Sequence, residues 1–405
     1  MKITHIHIER FRGFQNEDFE VGSLLTAIAG QNGTQKSTLL GIITQTFTLK
    51  TEDSMRVEKP LCGGSYISAF KDKFRLSPTF DKPKGHEWTI SFDAGMDDFT
   101  VESIKRTGDP NVRFWKKGAR QEGDGYISFP TIFLSLKRLV PVAEEAKIIT
   151  DDTLLTQEEL NEFKQLHNKI LIAQTPISSA TTITSKNKQS IGVSTELYDW
   201  NQNSMGQDNL GKIILALFSF KRLHDKYPRQ YKGGILAIDE MDATMYPASQ
   251  VELLKVLRKY ASKLNLQILF TTHSMSLLKA MDDLVQEVTK KEETANQAKI
   301  LYLKKVDDKI AIKQGVNFKG IQLDLNVVAE GNNRKKNRIT AYTEDKENIL
   351  FVKAILKSKA FVLDFVDVTL PCSTLMELVT KRVPAFIYPY SIAVSYTHLR
   401  AHETE

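Results

Sequence analysis

The chain has 405 residues, more than one hydrophobic core usually holds, so we expect two domains or one large domain with insertions. Its 41% hydrophobic and 26% charged residues are typical of a soluble globular protein, and no apolar run reaches the roughly 18 residues that a membrane-spanning helix needs. The net charge of +6 is compatible with a nucleic-acid partner without arguing for one. Cys62 and Cys372 lie in no CxxC pair, so we expect neither a zinc site nor a disulfide, and a cytoplasmic location.

The first 136 residues predict several strands and one helix. Ile3, Ile6 and Ile8 alternate with polar residues as in a strand, and the apolar segment 24–29 predicts a second strand that ends at a glycine-rich turn. The run 37–43 predicts a helix directly after that turn. Between residues 50 and 130, short alternating runs separated by Gly and Pro predict a small antiparallel sheet, and 131–136 predicts a further strand.

The middle of the chain predicts an insertion followed by a parallel sheet. We expect a helical insertion over residues 142–200, with a capping box from Thr156 to Glu159 and a Ser/Thr-rich loop or mobile segment at 175–195. After it, 211–220 predicts a buried helix, and the short apolar runs 235–238 and 267–270 predict buried strands with a helix between them. Alternating strands and helices of this kind predict a parallel sheet.

A near match to the phosphate-loop motif G-x-x-x-x-G-K-[ST] joins the predicted strand and helix at residues 30–37. Backbone N–H groups of such a loop surround phosphates, Lys36 reaches the β- and γ-phosphates, and the Ser37 hydroxyl suits Mg²⁺, which prefers oxygen ligands. The glycine expected before the lysine is Gln35, which puts the loop geometry and the hydrolysis rate in doubt more than nucleotide binding. The alternative is an ordinary glycine-containing turn before a helix. The candidate nucleotide-binding residues of this segment are Gly30, Asn32, Gly33, Thr34, Gln35, Lys36, Ser37 and Thr38.

Two later strands end in polar residues that suit phosphoryl transfer. Asp239 and Glu240 follow the apolar run 235–238, where Asp239 is placed to hold Mg²⁺ and Glu240 to orient and activate the attacking water. The alternative for this pair is a solvated acidic turn. His273 follows the next strand, and we expect it to contact the γ-phosphate or the attacking water. Ser204, Gly206 and Gln207 precede the helix at 211–220, where a plain helix cap competes with phosphate binding.

The order of these four motifs resembles the ABC-type ATPase heads of the SMC, RecF and OLD-like group. The resemblance implies an α/β fold: a P-loop ABC-type head over residues 1–328, with an antiparallel β subdomain and the helical insertion. It also implies a homodimer that sandwiches ATP, in which Ser204, Gly206 and Gln207 contact the nucleotide held by the other protomer. Met205 stands where the family usually has a second glycine. Arg10 and Arg12 match a position that often supports the nucleotide, against the alternative of a solvated turn.

The last part of the chain resembles the opening of a TOPRIM domain, a metal-dependent nuclease fold. After a basic linker at 329–338, a truncated α/β TOPRIM-like segment at 339–392 places Glu344 behind a predicted strand, where the resemblance implies a role as a metal ligand. A solvated helix start is the alternative for Glu344. No Asp-x-Asp follows the strand approach at 386–392, so the nuclease site is incomplete in this chain. Residues 393–405 resemble a translated sequencing adaptor and are excluded from the fold.

We therefore expect an ATPase with ATP and Mg²⁺ as cofactors, acting on or sensing DNA in bacteria. The resemblance to Septu-type and Gabija-type anti-phage proteins implies that the head gates a nuclease activity, either in its own TOPRIM-like domain or in a partner nuclease of the HNH type. The alternatives are a DNA repair or recombination ATPase without nuclease activity, and a nucleotide-binding switch with weak hydrolysis, which Gln35 keeps open. A transporter ATPase is disfavoured by the N-terminal turn and by the appended α/β segment, and no membrane partner is expected.

Overall fold

The computed structural model describes eleven segments of the chain: 1–66, 73–93, 95–105, 112–118, 125–136, 149–151, 154–173, 175–184, 189–329, 339–381 and 391–394. The chain folds into two compact units, Met1–Leu325 and Asn326–Glu405. The predicted basic linker, apart from its first residue, and residues 395–405 of the predicted adaptor segment lie outside the described residues.

The helices and strands are numbered in chain order. The α-helices are α1 Lys36–Thr44, α2 Gln157–Leu171, α3 Met205–Lys226, α4 Pro247–Lys263, α5 Met275–Val288, α6 Phe318–Ala329, α7 Lys346–Leu356 and α8 Cys372–Thr380. The strands of the first unit are β1 Ile3–Phe11, β2 Phe14–Glu20, β3 Leu25–Gly30, β4 Phe47–Thr48, β5 Glu87–Phe92, β6 Phe99–Lys105, β7 Val112–Lys116, β8 Ile127–Ser128, β9 Thr131–Leu134, β10 Ile149–Asp151, β11 Ser179–Thr184, β12 Gln189–Ser194, β13 Gly234–Ile238, β14 Leu266–Thr272, β15 Ala298–Val306 and β16 Lys309–Lys313. Those of the second unit are β17 Ile339–Thr343, β18 Leu363–Thr369 and β19 Ser391–Val394.

A six-stranded sheet in the order β16-β15-β3-β14-β13-β9 forms the centre of the first unit. All its neighbours pair in parallel except β16, which closes one edge as the antiparallel partner of β15. Every residue of β3, β13 and β14 is buried, as the short apolar runs predict. The parallel sheet is therefore confirmed, and it brings the carboxyl ends of β3, β14 and β13 to one edge.

A five-stranded antiparallel sheet in the order β2-β1-β5-β6-β7 packs in the same unit and confirms the predicted antiparallel subdomain. Its inner face carries aromatic side chains around Phe11. The ring centroids of Phe11 and Trp88 lie 5.7 Å apart, and those of Trp88 and Phe114 lie 5.2 Å apart. Phe11 on β1 and Phe14 on β2 lie opposite each other at the end of the hairpin that these strands form, so residues 12 and 13 form its turn.

The insertion contains a sheet as well as a helix, so the expectation of a loop at 175–195 is wrong. The helix α2 begins at the predicted capping box, with both hydrogen bonds between Thr156 and Glu159 present. Strands β10, β11 and β12 then form a three-stranded antiparallel sheet. Six Ser and Thr residues of this segment lie in β11 and β12, beside the buried side chains of Ile183, Ile191 and Val193. β-branched residues favour strands, and this preference outweighs the turn-forming tendency of serine.

The second unit is built on a three-stranded parallel sheet in the order β18-β17-β19. Its α/β character agrees with the prediction for 339–392, while the specific TOPRIM assignment stays a prediction. Residues 386–390 of the predicted strand approach lie outside the described part, and β19 includes Ala393 and Val394 of the predicted adaptor segment. Among the described residues, no helix combines the length and the apolar character that crossing a membrane requires.

Candidate nucleotide-binding site

The segment 30–37 forms a tight loop between β3 and α1, at the carboxyl edge of the central sheet. Gly30 (φ +152°) and Gly33 (φ +81°) both adopt backbone conformations that favour glycine. A Cβ at Gly30 would lie 2.4 Å from the Leu303 carbonyl oxygen, so only glycine fits there without a shift of the backbone. A Cβ at Gly33 would meet nothing within 4 Å, which leaves that side of the loop open. Thr34 is buried and donates to the Gln31 carbonyl at 2.8 Å, and this bond closes the loop.

Gln35 adopts the left-handed conformation that a glycine would supply at this position, with φ 61° and ψ 33°. A non-glycine residue pays roughly 1–2 kcal/mol for this conformation. Its side chain lies beside the hairpin turn, where a Cβ on Gly13 would be 2.9 Å from Gln35 Nε2. Residue 35 therefore has the backbone conformation that the expected glycine would supply, although it is a glutamine.

Lys36 is buried and its ammonium group folds back into the loop. Nζ donates to the carbonyl oxygens of Gly30 at 3.1 Å and Gln31 at 2.9 Å. Burial lowers its pKa, and the negative charges of Glu240, Asp239 and Asp242 offset part of this effect. The Lys36 ammonium group therefore lies on two loop carbonyls, with the strand-end carboxylates nearby.

Ser37 and Asp239 meet directly, although 202 positions separate them in the sequence. Ser37 Oγ donates to Asp239 Oδ1 at 2.8 Å, and Thr271 Oγ1 donates to the same oxygen at 2.8 Å. Asp239 is 5% exposed. The hydroxyl and the carboxylate are hard oxygen donors at one point, as Mg²⁺ requires. No group of three or more His, Cys, Asp and Glu side chains suited to a metal ion occurs in the described segments, so a magnesium ion here would draw its other ligands from phosphate oxygens and water.

Glu240 follows Asp239 in a left-handed conformation (φ 50°), and its N–H donates to Thr271 Oγ1 at 2.6 Å. Its carboxylate contributes to the charge around Lys36. Thr271 thereby contacts both acidic residues. The sequence interpretation missed this residue, although a threonine in the strand-end run Phe-Thr-Thr-His was a usable signal.

His273 is exposed behind β14, and its backbone N–H lies 3.3 Å and 3.4 Å from the two carboxylate oxygens of Asp242. Partial burial and the nearby Lys36 ammonium lower the pKa of the imidazole, against the opposing effect of Asp242, Glu240 and Asp239. The structure thus brings Lys36, Asp239, Glu240 and His273 into one electrostatic neighbourhood. Contact of His273 with a γ-phosphate stays a prediction.

The loop after Glu240 is held by Gln250 and Ser274, neither of which the sequence interpretation identified. Gln250 Nε2 donates to the carbonyl oxygens of Met245 at 2.7 Å and Asp242 at 3.2 Å. Ser274, the N-cap of α5, donates to Gln250 Oε1 at 2.5 Å. No motif marks a glutamine on a helix as the anchor of a loop that precedes it, so its role appears only in the folded chain.

Arg12 is engaged in an ion pair instead of lying in a solvated turn. Its Nε and Nη2 each donate at 3.0 Å to one carboxylate oxygen of Asp81, and Nη1 lies 3.5 Å from Thr38 Oγ1 in the first turn of α1. Arg10 instead pairs with Glu87 at 3.0 Å and donates to the Lys84 carbonyl at 3.0 Å. The contacts of the described residues therefore join Arg12 to α1, the helix that carries Lys36 and Ser37, and join Arg10 to the antiparallel sheet and its loop.

Ser204 and Gln207 form a helix cap at the start of α3, with Gln207 N donating to Ser204 Oγ at 3.3 Å and Ser204 N to Gln207 Oε1 at 2.8 Å. Gln207 Nε2 also donates to Tyr198 Oη at 2.7 Å. A Cβ at Gly206 would lie 2.5 Å from the carbonyl oxygen of Thr244, so glycine permits close contact between α3 and the loop that follows Glu240. These contacts are those of a helix cap, which is the alternative that the sequence leaves open for this segment. Contact of these residues with the nucleotide of another protomer stays a prediction.

Glu344 lies just after β17, as predicted, and Oε1 accepts a hydrogen bond from the N–H of Cys372 at the start of α8 at 3.4 Å. The neighbouring Asp345 is the N-cap of α7 and accepts from Asn348 N at 2.8 Å. Both acidic residues therefore meet helix N-termini, where a negative charge is favourable. The role of Glu344 as a metal ligand stays a prediction.

Residues 135–278, which include Asp239, Glu240 and His273, match the family model described as an AAA ATPase domain. No curated protein sequence matches the chain. Similar solved structures include the SMC head domain from Thermotoga maritima, 14% identical over 78% of this chain and 100% of that chain with a TM-score of 0.43. An Smc head domain with an extended coiled coil from Pyrococcus furiosus is 13% identical over 81% and 99% of the two chains, with a TM-score of 0.43. The recombination mediator protein RecF-ATPrS of the RecFOR pathway is 12% identical over 78% and 98%, with a TM-score of 0.39. At these identities the likeness concerns the fold alone.

Proposed function

We propose that the chain binds ATP with Mg²⁺ at the phosphate loop and hydrolyses it. The observation that carries the proposal is the hydrogen bond between Ser37 and Asp239, because it joins the end of the phosphate loop to the end of β13 across the central sheet. A family match to an AAA ATPase domain over residues 135–278 supports it.

Each residue of the site has a role that its position supports. The loop N–H groups and the positive end of α1 would receive the phosphates, and Lys36 would exchange its carbonyl partners for phosphate oxygens. Ser37 and Asp239 would hold Mg²⁺, which when bound neutralises charge on the β- and γ-phosphates. Glu240 would orient the attacking water and accept its proton.

The proposal extends to a homodimer that encloses ATP between two copies. Exposed apolar side chains near the start of α3 and the loop after Glu240 support this extension. They are Leu197, which is 79% exposed, Met205, which is 43% exposed, and Tyr246, which is 50% exposed. Exposed apolar side chains that form a patch mark candidate interfaces. Sedimentation of the Glu240→Gln variant with and without ATP checks this extension: ATP-dependent doubling of the mass supports it, and a monomer at saturating ATP contradicts it.

The finer proposal is that the head acts on or senses DNA and gates a nuclease activity in bacterial defence, through the TOPRIM-like segment or an HNH-type partner. It rests on the resemblance of the motifs, and the net charge of +6 is compatible with it. A DNA repair ATPase without nuclease activity is the competing proposal. DNA affinity that falls steeply with added salt supports a phosphate-contact role in both cases, and affinity independent of salt contradicts it. A DNA cleavage assay with the chain and an HNH partner separates the two proposals. ATP-dependent cleavage supports nuclease gating, and its absence favours the repair ATPase.

The Lys36→Ala variant tests nucleotide binding itself. The charge-assisted contact is worth roughly 1.5–3 kcal/mol, so the dissociation constant of a fluorescent ATP analogue should rise about 10- to 100-fold. Lys259→Ala is the matched control, because Lys259 is an exposed lysine on α4. Equal affinities of the parent protein and Lys36→Ala would contradict the proposed site.

A further inference from the structure

A buried polar network links the helix of the phosphate loop to the antiparallel sheet, and Asp81 is its centre. The Asp81 side chain is 2% exposed. Its carboxylate accepts from Arg12 Nε and Nη2 at 3.0 Å each and from Ser77 N at 2.8 Å, and His86 Nε2 lies at 3.0 Å. Burial alone would raise the pKa of Asp81, but the hydrogen bonds and charge of Arg12 outweigh it and the net pKa is lowered. A carboxylate this deeply buried is stable only because it is paired and hydrogen-bonded.

His86 extends the network into the sheet. Its side chain is 3% exposed, and its Nδ1 lies 3.0 Å from Ser103 Oγ on β6. The imidazole centroid lies 4.6 Å from that of Phe11 and 5.5 Å from that of Phe114 in the core of the antiparallel sheet. These contacts join His86, and through it Asp81, to the core of the antiparallel sheet.

The segment 73–81, which we call the strap, runs along α1. Lys73 Nζ donates to the carbonyl oxygen of Thr44 at the end of α1 at 2.7 Å. A Cβ at Gly41 would lie 2.9 Å from the Phe74 ring, so the strap and the middle of α1 are in close contact. At the start of α1, Arg12 donates to the Arg75 carbonyl at 2.8 Å and reaches Thr38. The strap therefore contacts the middle and the end of α1, and Arg12 connects it to the first turn.

The ion pair leaves one edge of the Arg12 guanidinium for another partner. Nε and Nη2 are used by Asp81 and the Arg75 carbonyl. Among the described residues, Nη1 has only the long 3.5 Å contact with Thr38 Oγ1, which is at the limit for a hydrogen bond. Nη1 is therefore the donor on the side of the helix N-terminus, where a phosphate group would bind.

We propose that Asp81 is a positioning residue for nucleotide binding: it locks the Arg12 guanidinium by its Nε–Nη2 edge so that Nη1 is presented to the phosphates at the start of α1. This inference rests on the proposed ATP site. In this arrangement the antiparallel sheet, through His86 and Asp81, holds in place a charge that acts at the phosphate loop. The bidentate geometry matters because arginine offers a planar fork that lysine lacks.

The test measures the dissociation constant of a fluorescent ATP analogue with Mg²⁺ for the parent protein, Arg12→Gln, Asp81→Asn and the double variant. We expect affinity about tenfold weaker for Arg12→Gln, about three- to tenfold weaker for Asp81→Asn, and no further loss in the double variant. Arg258→Gln, which breaks the exposed pair with Glu287, is the matched control and should bind within about twofold of the parent.

Non-additive losses support positioning, because Asp81 can then act only through Arg12. Additive losses, unchanged binding or tighter binding by Asp81→Asn would overturn the inference. If thermal denaturation shows that Asp81→Asn is unfolded, Arg12→Lys decides: it keeps the charge beside Asp81 but not the fork, so affinity should fall, and parent-like affinity overturns the inference. A parent protein that binds no nucleotide refutes the proposed function itself. If the parent protein binds nucleotide but the variants give one of the contradicting results, only the role of Asp81 is refuted.

Discussion

Replacing Gln35 with glycine should stabilise the nucleotide-free protein, although it removes a half-buried side chain. Two features make Gln35 unfavourable where it stands. Its backbone is left-handed, at φ 61°. Its carboxamide oxygen Oε1 is buried and has no hydrogen-bond partner among the residues that the structure describes. Glycine removes both features at once.

The magnitude follows from these features. Relief of the left-handed conformation contributes roughly 1–2 kcal/mol, and the greater backbone freedom of glycine in the unfolded chain takes back about 0.5–1 kcal/mol. Removing an unsatisfied buried acceptor contributes about 1–3 kcal/mol, and the lost packing beside Gly13 offsets about 1 kcal/mol of this gain. The free energy of unfolding should therefore rise by about 1–2 kcal/mol. Since unfolding entropy is about 2.1 cal/mol/K per residue, this raises Tm by about 1.5–3 °C for a unit of this size.

Thermal and urea denaturation of the parent, Gln35→Gly and Gln35→Ala provide the assay. Alanine removes the amide but keeps the left-handed strain, so the difference between the two variants isolates the backbone contribution, about 1 kcal/mol in favour of glycine. If Gln35→Gly is no more stable than Gln35→Ala, residue 35 is not held in the left-handed conformation and the reasoning about the loop fails.

Three further predictions concern the loop, the core and the metal. Gly30→Ala should destabilise the protein far more than Gly33→Ala in urea denaturation, because a Cβ at Gly30 would lie 2.4 Å from a carbonyl oxygen. Alanine at position 33 meets no atom within 4 Å, and its cost is only the roughly 1–2 kcal/mol of the left-handed conformation at φ +81°. Burial lowers the pKa of His167 from 6.5 to about 4, so the folded state disfavours protonation of this side chain. The free energy of unfolding should therefore fall by up to about 3 kcal/mol as the pH drops from 6.5 to 4. The His167→Phe variant should lack this part of the pH dependence. Asp239→Asn should raise the Mg²⁺ concentration for half-maximal hydrolysis about tenfold or more, and an unchanged magnesium titration would contradict its assigned role.

The central sheet and the order of the motifs could be predicted from the sequence because each depends on short segments. Strands β3, β13 and β14 are apolar on both faces, and each is followed by the polar residues that the chemistry needs. Chain order then places their carboxyl ends together, so the meeting of Ser37 and Asp239 follows from topology.

The strands of the insertion were not predicted because their composition misleads. Ser and Thr are the most frequent residues of 179–194, and serine is also typical of loops. What favours strands there is the pairing of β11 with β12 and the burial of Ile183 and Ile191, both of which depend on the rest of the fold.

Two features of the site depend on contacts that no local pattern contains. Asp81 gains its role from Arg12, 69 positions earlier, and from His86, and nothing in the strap distinguishes it from any acidic residue in a turn. In the sequence, Gln35 interrupts the phosphate-loop motif, yet its backbone adopts the left-handed conformation of the expected glycine. Residue identity indicates a preference for such a conformation, and the surrounding structure decides whether it is adopted.

The most direct test of the proposed function is a comparison of ATP binding and steady-state hydrolysis between the parent protein and Glu240→Gln. The amide keeps the size of the side chain but cannot accept a proton from the attacking water, so hydrolysis should fall at least about 100-fold while the affinity for ATP stays within about threefold of the parent. Hydrolysis by Glu240→Gln at the parent rate would contradict the assigned site, and a parent protein that binds no ATP would contradict the function as a whole.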